Sequence, residues 1–369
     1  MIKKVLINIR QLQFRYTGVQ SYIYNLCISL VKEFPHIHFD LATLNYQNDN
    51  QYIETLRKNS NTTILNTEAG SSSLVDIYFD HFLVSKLVTK QDIYFNPVNI
   101  TPVFKKPGVK YVVGVLDLCT FIVPKTTTLL LKTYYRLFLP GSLKRADKII
   151  AISKSTKKDI IKIFKTNPKK ISVVYLGIDT KILKSNYSIN QKKEKYFLTM
   201  ATSRRKNIQN VLKAFAAFSN MFPSIKFKIV VNNPKLSEEV GVSLKKLNIK
   251  NKVELMENYI SKEKLSSLYS SALGFVYCPV YEGFGLPVLE AMSKNCPVIT
   301  STTSSLPEVA GKSALTVNPH SFQEIAKAMT SIAENLPLRQ KMILEGQKNI
   351  TKFSWKKSAQ KVIAEFDKL

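Results

Sequence analysis

Short apolar, β-branched runs recur along the chain, separated by stretches in which apolar residues return every three to four positions. The runs at residues 5–9, 39–44, 63–65, 93–95, 111–116, 148–152 and 172–175 predict seven strands. Those at residues 196–200, 226–231, 252–255, 272–277, 297–300 and 315–317 predict six more. Residues 22–33, 208–218 and 263–271 read as amphipathic helices between them. Strands apolar along their whole length, with helices between, belong to parallel sheets covered on both faces. Thirteen strands overfill one doubly wound sheet and suit two. The expected fold class is therefore α/β, with two doubly wound, Rossmann-like parallel-sheet domains facing a cleft. The polar stretch KSNYSINQKKEK at 184–195 is the predicted linker, with one domain over 1–183 and a second over 184–352. A last helix over 355–366 follows two further helices, and the segment 353–369 is a candidate to rejoin the first domain.

A chain of 369 residues that is 45% hydrophobic and 22% charged can fill two cores. No apolar run approaches the roughly 18 residues needed to cross a bilayer. The start of the chain, with two lysines before a strand-like run, lacks a cleavage pattern for secretion, so a cytoplasmic protein is expected. Cys27, Cys119, Cys278 and Cys296 lie too far apart to suggest a zinc finger or a disulfide framework. Charge changes the picture most. The net charge is +28, and residues 101–250 hold 31 basic against 7 acidic residues. Such a field draws an anionic partner, whether nucleic acid, a lipid surface or a phosphorylated substrate, unless it is only a solvated basic face. No helix-turn-helix, RNA-recognition signature or metal finger accompanies the charge, so nucleic acid is not an expected partner.

The most informative segment is VYEGFGLPVLEAM at 280–292, where a strand passes through two glycines into a helix. Pro287 suits the first helical turn, where its missing N–H would be unpaired anyway. The glycines let backbone approach a ligand, and the helix end offers free amides and a positive dipole, so a diphosphate is expected at Gly283, Phe284, Gly285 and Leu286. The glycines alone would also serve simply to turn a strand into a helix. Glu282 and Glu290 flank this site, which argues against a glycosidase acid pair and for carboxylates that accept sugar hydroxyls. Glu290 would take ribose hydroxyls and Glu282 a transferred sugar. A second strand-to-helix turn, MATSRRKNI at 200–208, gathers Arg204, Arg205 and Lys206 at a helix start, where cations are unfavourable unless an anion neutralises them. No Asp-x-Asp pair suggests a divalent metal, and His36 and His38 have no third ligand near them in sequence. The reading is of a metal-independent site, with Arg205, Lys206 and helix-end amides balancing a diphosphate.

Taken together, EGFGLPVLEAM, the RKN turn, SSLPEVAG (304–311), VYLGID (174–179), ADKIIAISKSTKKDI (146–160), FSW (353–355) and RYTGVQSYIYNL (15–26) resemble glycosyltransferase family 4, retaining enzymes of the GT-B fold. The resemblance spans almost the whole chain. It implies a nucleoside-diphosphate sugar bound by the second domain and an acceptor received by the first. By position, Arg205 and Lys206 would bind the donor diphosphate, Glu282 the donor sugar and Glu290 the ribose. Phe284 to Leu286 would lend backbone amides, and Tyr259 and Ile260 would lie in the base-binding loop. Gly18 would let the first domain approach the donor phosphate.

The sequence departs from the pattern in places. Leu116 stands where many members carry a histidine, followed by Asp117, and none of His36, His38, His81 or His320 falls in a matching motif. Ala201 replaces a usual glycine in a shortened turn. In the front-face mechanism implied by the family, a leaving phosphate oxygen can take the acceptor proton, leaving Asp117 to orient the acceptor. The expected function is retaining transfer of a hexose to a lipid-linked glycan in surface-polysaccharide assembly, at the inner face of the cell membrane. A nucleotide-sugar epimerase and a non-catalytic, glycosyltransferase-like subunit are the open alternatives. Residues 121–170, with 13 basic and 2 acidic residues interleaved with Leu129, Leu130, Leu131, Tyr134, Tyr135, Leu137 and Phe138, are expected to meet an anionic membrane surface. An ordinary core-facing helix is the competing reading of that stretch.

Overall fold

Each of the thirteen apolar runs forms a strand, and every strand pair is parallel. The computed structural model describes residues 2–13, 17–44, 50–70, 72–178, 193–257 and 260–369. They divide into two units, one of residues 1–121, 127–177 and 353–369, the other of residues 122–126 and 178–352. Most of the predicted linker, residues 184–192, lies outside the described residues.

In the first unit β1 (Lys4–Asn8), β2 (His38–Leu44), β3 (Thr62–Thr67), β4 (Ile93–Asn96), β5 (Lys110–Val115), β6 (Lys148–Ala151) and β7 (Ile171–Val173) form one sheet in the order β3-β2-β1-β4-β5-β6-β7. Val5 sits in register with Phe39 on one side and Ile93 on the other. All three are buried, as expected of strands sandwiched between helices. Strand order reverses between β1 and β4, and at such a point the loops leave the sheet in opposite directions and open a crevice at the carboxyl edge.

In the second unit β8 (Tyr196–Met200), β9 (Lys226–Val230), β10 (Val253–Met256), β11 (Gly274–Tyr277), β12 (Val298–Ser301) and β13 (Ala314–Val317) take the order β10-β9-β8-β11-β12-β13. Here the reversal lies between β8 and β11. The strand β11 starts two residues later than the apolar run, because Ala272 still donates its amide to Leu268 O at 3.1 Å and closes the preceding helix. The helix Ile208–Met221 buries Ile208, Val211, Leu212, Phe215 and Phe218, the spacing of one helical face. Phe215 stacks on Phe227 of β9 with ring centroids 4.7 Å apart.

The helix Trp355–Phe366 belongs to the first unit and packs on the helix Gly18–Glu33, with Tyr22 and Trp355 ring centroids 6.2 Å apart. Glu365 anchors its far end. Its carboxylate meets Lys148 Nζ at 2.8 Å and accepts from Ser172 Oγ at 2.7 Å. Burial works against that charge, but hydrogen bonds from Lys148, Lys368 and Ser172 hold the Glu365 carboxyl down at about 2. At the near end Gly177 lies so close that a Cβ would sit 2.1 Å from the Trp355 backbone nitrogen. The glycine of VYLGID is thus fixed by backbone crowding.

Gly177→Ala should therefore displace the helix and cost about 1–3 kcal/mol of folding free energy, as overpacking does. Urea unfolding followed by the fluorescence of Trp355, the single tryptophan, checks this. An unchanged midpoint would show that the contact has slack.

Candidate active site

The two loops that leave the sheet at the β8/β11 reversal carry the residues singled out by sequence. After β8 the chain makes a single turn at Arg204–Lys206 and enters the helix Ile208–Met221 through Asn207, whose φ of 63° is left-handed. The Asn207 side-chain amide donates to Cys278 O at 3.0 Å and Pro319 O at 2.6 Å. Val280 N donates to Arg205 O at 3.0 Å. These bonds lock one loop to the other.

The turn then aims its cations in two directions. Arg204 pairs with Glu239 on the exposed side of the unit. Lys206 points inward, with Nζ 2.6 Å from Glu282 Oε2 and hydrogen-bonded to the Tyr277 hydroxyl. Arg205 Nη2 lies 3.9 Å from Glu282 Oε1. The Tyr277 hydroxyl also donates to Glu282 Oε2 at 3.2 Å. The sequence reading expected an external anion at this cluster; in the structure the fold also brings Glu239 and Glu282 to the turn, two carboxylates against three cations. Arg205 and Lys206 face Glu282, and Arg204 faces away. Burial alone would raise the Glu282 carboxyl, but Lys206 and Arg205, with hydrogen bonds from Lys206 and Tyr277, hold it below the usual carboxylate range.

After β11 the loop reaches the helix Leu286–Ser293 through Gly285, whose φ of 108° favours glycine and where a Cβ would lie 2.7 Å from Leu306 Cδ2. Hydroxyls of the following β12 loop brace it. Ser305 Oγ bonds to Glu282 O at 2.9 Å and Phe284 O at 2.7 Å, and Ser304 Oγ accepts from Glu282 N at 3.0 Å. Ser301 Oγ donates to Pro279 O at 2.6 Å. The backbone amides of Gly285 and Leu286 bond to no described residue and stand at the positive end of the helix. Phe284 and Gly283 are buried in the same turn.

Glu290 lies one turn into that helix, half-buried, and its carboxyl accepts no hydrogen bond from a described residue. Burial pushes it up to about 7, with Lys262 acting weakly in the other direction. Ile260 lies half-buried between β10 and the helix Lys262–Ser271, while Tyr259 lies outside the described residues. Among the described residues no three His, Cys, Asp or Glu side chains converge as metal ligands.

Gly18 and Asp117 belong to the other unit, Gly18 at the start of the helix that follows β1 and Asp117 two residues past the end of β5. Gly18 opens the helix Gly18–Glu33, and a Cβ there would meet nothing within 4 Å, so packing within the fold does not require glycine at this position. Asp117 Oδ1 accepts from Cys119 N at 3.0 Å, and Leu116 N is held by Asn99 Oδ1 at 3.1 Å. His81 is a core residue, fully buried, with Nε2 3.2 Å from the Tyr134 hydroxyl. Sequence reasoning missed Tyr277, which read as an ordinary strand residue, and the brace of hydroxyls. The run STTSS ahead of LPEV was the available signal for the brace.

A reversal point that pairs a cationic turn with a helix end is the kind of place where doubly wound folds bind phosphate-bearing ligands. Residues 179–349 match the family model described as Glycosyl transferases group 1, and residues 105–182 match Glycosyltransferase Family 4. The chain belongs to these glycosyltransferases. It is 33% identical over 207 residues to the O-antigen chain mannosyltransferase RfbU of Salmonella typhimurium, covering 56% of each chain. It is 28% identical over 232 residues to the O-antigen chain mannosyltransferase B of Escherichia coli, covering 60% of this chain and 61% of that one. The matches thus span little more than half the length of these curated relatives. Among solved structures, Anabaena HepE in complex with UDP and glucose superposes with a TM-score of 0.74 at 14% identity, over 100% of both chains. Sucrose-phosphate synthase from Thermosynechococcus elongatus gives 0.77 at 15% identity, over 99% of this chain and 98% of that one. These likenesses establish the GT-B fold.

The raised Glu290 has a stability signature. Its folded value of about 7 exceeds the ordinary 4.5, so its contribution is fully present below pH 4.5 and is lost as pH rises through 7. Glu290→Gln should therefore raise Tm at pH 8, by a stabilisation on the order of 1–3 kcal/mol, with the gain vanishing toward pH 4.5. A pH-independent difference in thermal melts would refute this assignment.

Proposed function

We propose that the protein is a retaining, metal-independent hexosyltransferase that moves mannose from a nucleoside-diphosphate sugar to a lipid-linked glycan, on the cytoplasmic face of the membrane, in surface-polysaccharide synthesis. The observation that carries the reading is the convergence of Lys206, Arg205 and Glu282 with the amides of Gly285 and Leu286 at the β8/β11 reversal. The names of the O-antigen mannosyltransferase relatives support the sugar and the process, and the UDP-bound neighbour supports a nucleotide donor.

In this reading the donor diphosphate lies against the helix end, and Lys206 shares its charge between Glu282 and the phosphate. Glu290 accepts from the ribose hydroxyls and Ile260 and Tyr259 border the base. The bond from the anomeric carbon to the phosphate oxygen breaks, and its electron pair stays with the departing diphosphate. The acceptor oxygen bonds to that carbon from the same face, and its proton passes to the leaving phosphate oxygen. Charge on the diphosphate grows along this path, so fixed cations and amides favour the transition state over the bound donor. Asp117 orients the acceptor hydroxyl, since Leu116 offers no base.

A thermal-shift panel of nucleoside-diphosphate sugars tests the donor first. A true donor at 100 times its Kd stabilises by about 2.7 kcal/mol. No shift from any member would overturn the reading. Transfer should retain its anomeric configuration and persist in excess EDTA; complete loss restored by magnesium or manganese would replace the cation clamp with a metal. Lys206→Ala should lower kcat roughly 10²–10³-fold with a smaller change in donor KM. Equal turnover in that variant would remove Lys206 from the diphosphate.

A further inference from the structure

The last residue of β11, Tyr277, carries a hydroxyl that packing does not require. Its ring stacks on Phe275 with centroids 5.5 Å apart, and Phe275 in turn meets Tyr269 edge-on at 5.0 Å. A phenylalanine would fill that place. Instead the residue, only 1% exposed, extends a polar atom to the charged pair formed by Lys206 and Glu282. The backbone beneath it is fixed. Tyr277 is in register with Thr300 of β12, and Thr300 Oγ1 donates to Tyr277 O at 2.8 Å. A group carried on a strand is held more precisely than one on a loop, and both Lys206 and Glu282 come from loops.

The chemistry of the three groups sets the direction of their hydrogen bonds. An ammonium only donates and an ionised carboxylate only accepts, so the hydroxyl is the one group of the three that does both. It accepts from Lys206 Nζ and donates to Glu282 Oε2 at 3.2 Å. Burial, reinforced by the charge of Glu282, pushes the phenol well above its ordinary 10, so it keeps the proton that the second bond needs. Lys206 Nζ lies 4.9 Å from the Tyr277 ring centroid and 2.6 Å from Glu282 Oε2. The ammonium is thus tied at two points, although its four-carbon stem would otherwise sample many rotamers.

We propose that Tyr277 is a positioning residue for sugar transfer: its hydroxyl joins Lys206 and Glu282 to the end of β11, so that the ammonium stands in place before charge develops on the departing diphosphate. Too deeply buried to touch the substrates, Tyr277 acts only through the two groups it binds. Electrostatic stabilisation counts most when the stabilising group need not reorganise as the bond breaks, and a tethered lysine meets that condition. The inference rests on the reading that Lys206 faces the donor diphosphate, and it adds the reason that a tyrosine ends β11. Packing alone, the rival role, would be served equally by phenylalanine.

The test is a double-mutant cycle on the full chain, read as hydrolysis of GDP-mannose and of UDP-mannose with water as acceptor. Tyr277→Phe should lower kcat roughly ten-fold with KM changed less than about two-fold, since the hydroxyl is lost and the ground-state site is kept. Its Tm should stay within about 3 °C, because the ring and its stacking remain. In the Lys206→Ala background the same change should lower kcat by less than about two-fold, because the group it acts through is gone. Equal proportional losses in both backgrounds, an unchanged kcat in Tyr277→Phe, or a variant too unstable to assay would show packing alone and overturn the inference. Full turnover in Lys206→Ala, or neither donor bound or hydrolysed by the unsubstituted chain, would overturn the proposed function instead, so the two failures are distinguishable.

Discussion

A parallel sheet has to be covered on both faces, because its connections cross over as helices and its strands carry apolar side chains on either side. Much else in each unit follows from this constraint. Val5, Phe39 and Ile93 in one sheet, and Phe197, Phe227 and Phe275 in the other, commit most of the strand surface to apolar packing. Function is pushed to the loops at the carboxyl edge, and strand reversal decides which loops diverge enough to admit a ligand. In the second unit those are the loops after β8 and β11, the two that carry Arg205, Lys206 and Glu282.

Holding charged groups at that edge needs a rigid frame. Glu282 stays ionised although half-buried because Lys206, Arg205 and Tyr277 surround it, and the loop that presents it is pinned by Ser301, Ser304 and Ser305. Asn207 ties the opposing loop to the same frame. Glu290 is treated differently. It is half-buried with no hydrogen bond from a described residue, so the folded chain tolerates a destabilised carboxyl there. One site thus contains a carboxylate stabilised by the fold and another left unsatisfied by it.

The first unit shows the same economy with its ionised groups. Arg10 at the end of β1 is buried because Asp80 and Asp76 reach it from one helix face, and that inward turn of the acids leaves Leu74, Tyr78 and Phe82 on the outer face. His81 is committed to the aromatic packing of Tyr134 and Phe138. Leu116 and Asp117 occupy the end of β5 without a histidine nearby in the chain. The proposed chemistry therefore asks the donor phosphate, rather than a side chain, to receive the proton.

The sequence by itself determined the thirteen strands, their parallel pairing and the glycine turn ahead of Glu290. Each of these rests on local signals: apolar run length, helical spacing and the backbone freedom of Gly285. It also brought Lys206, Glu282 and Glu290 under suspicion, since their residue types stand out beside a helix start. It did not show that Arg204 turns away to Glu239, that Tyr277 bonds to both Lys206 and Glu282, or that Gly177 is required by Trp355. Those partners lie 35, 71, 5 and 178 residues away, and only the packing of strands and helices decides which side chains meet. The same holds for the exposed face of residues 74–82, which carries a large apolar residue at every fourth position. Whether such a stripe faces a core or solvent depends on what covers it, and that is a property of tertiary structure alone.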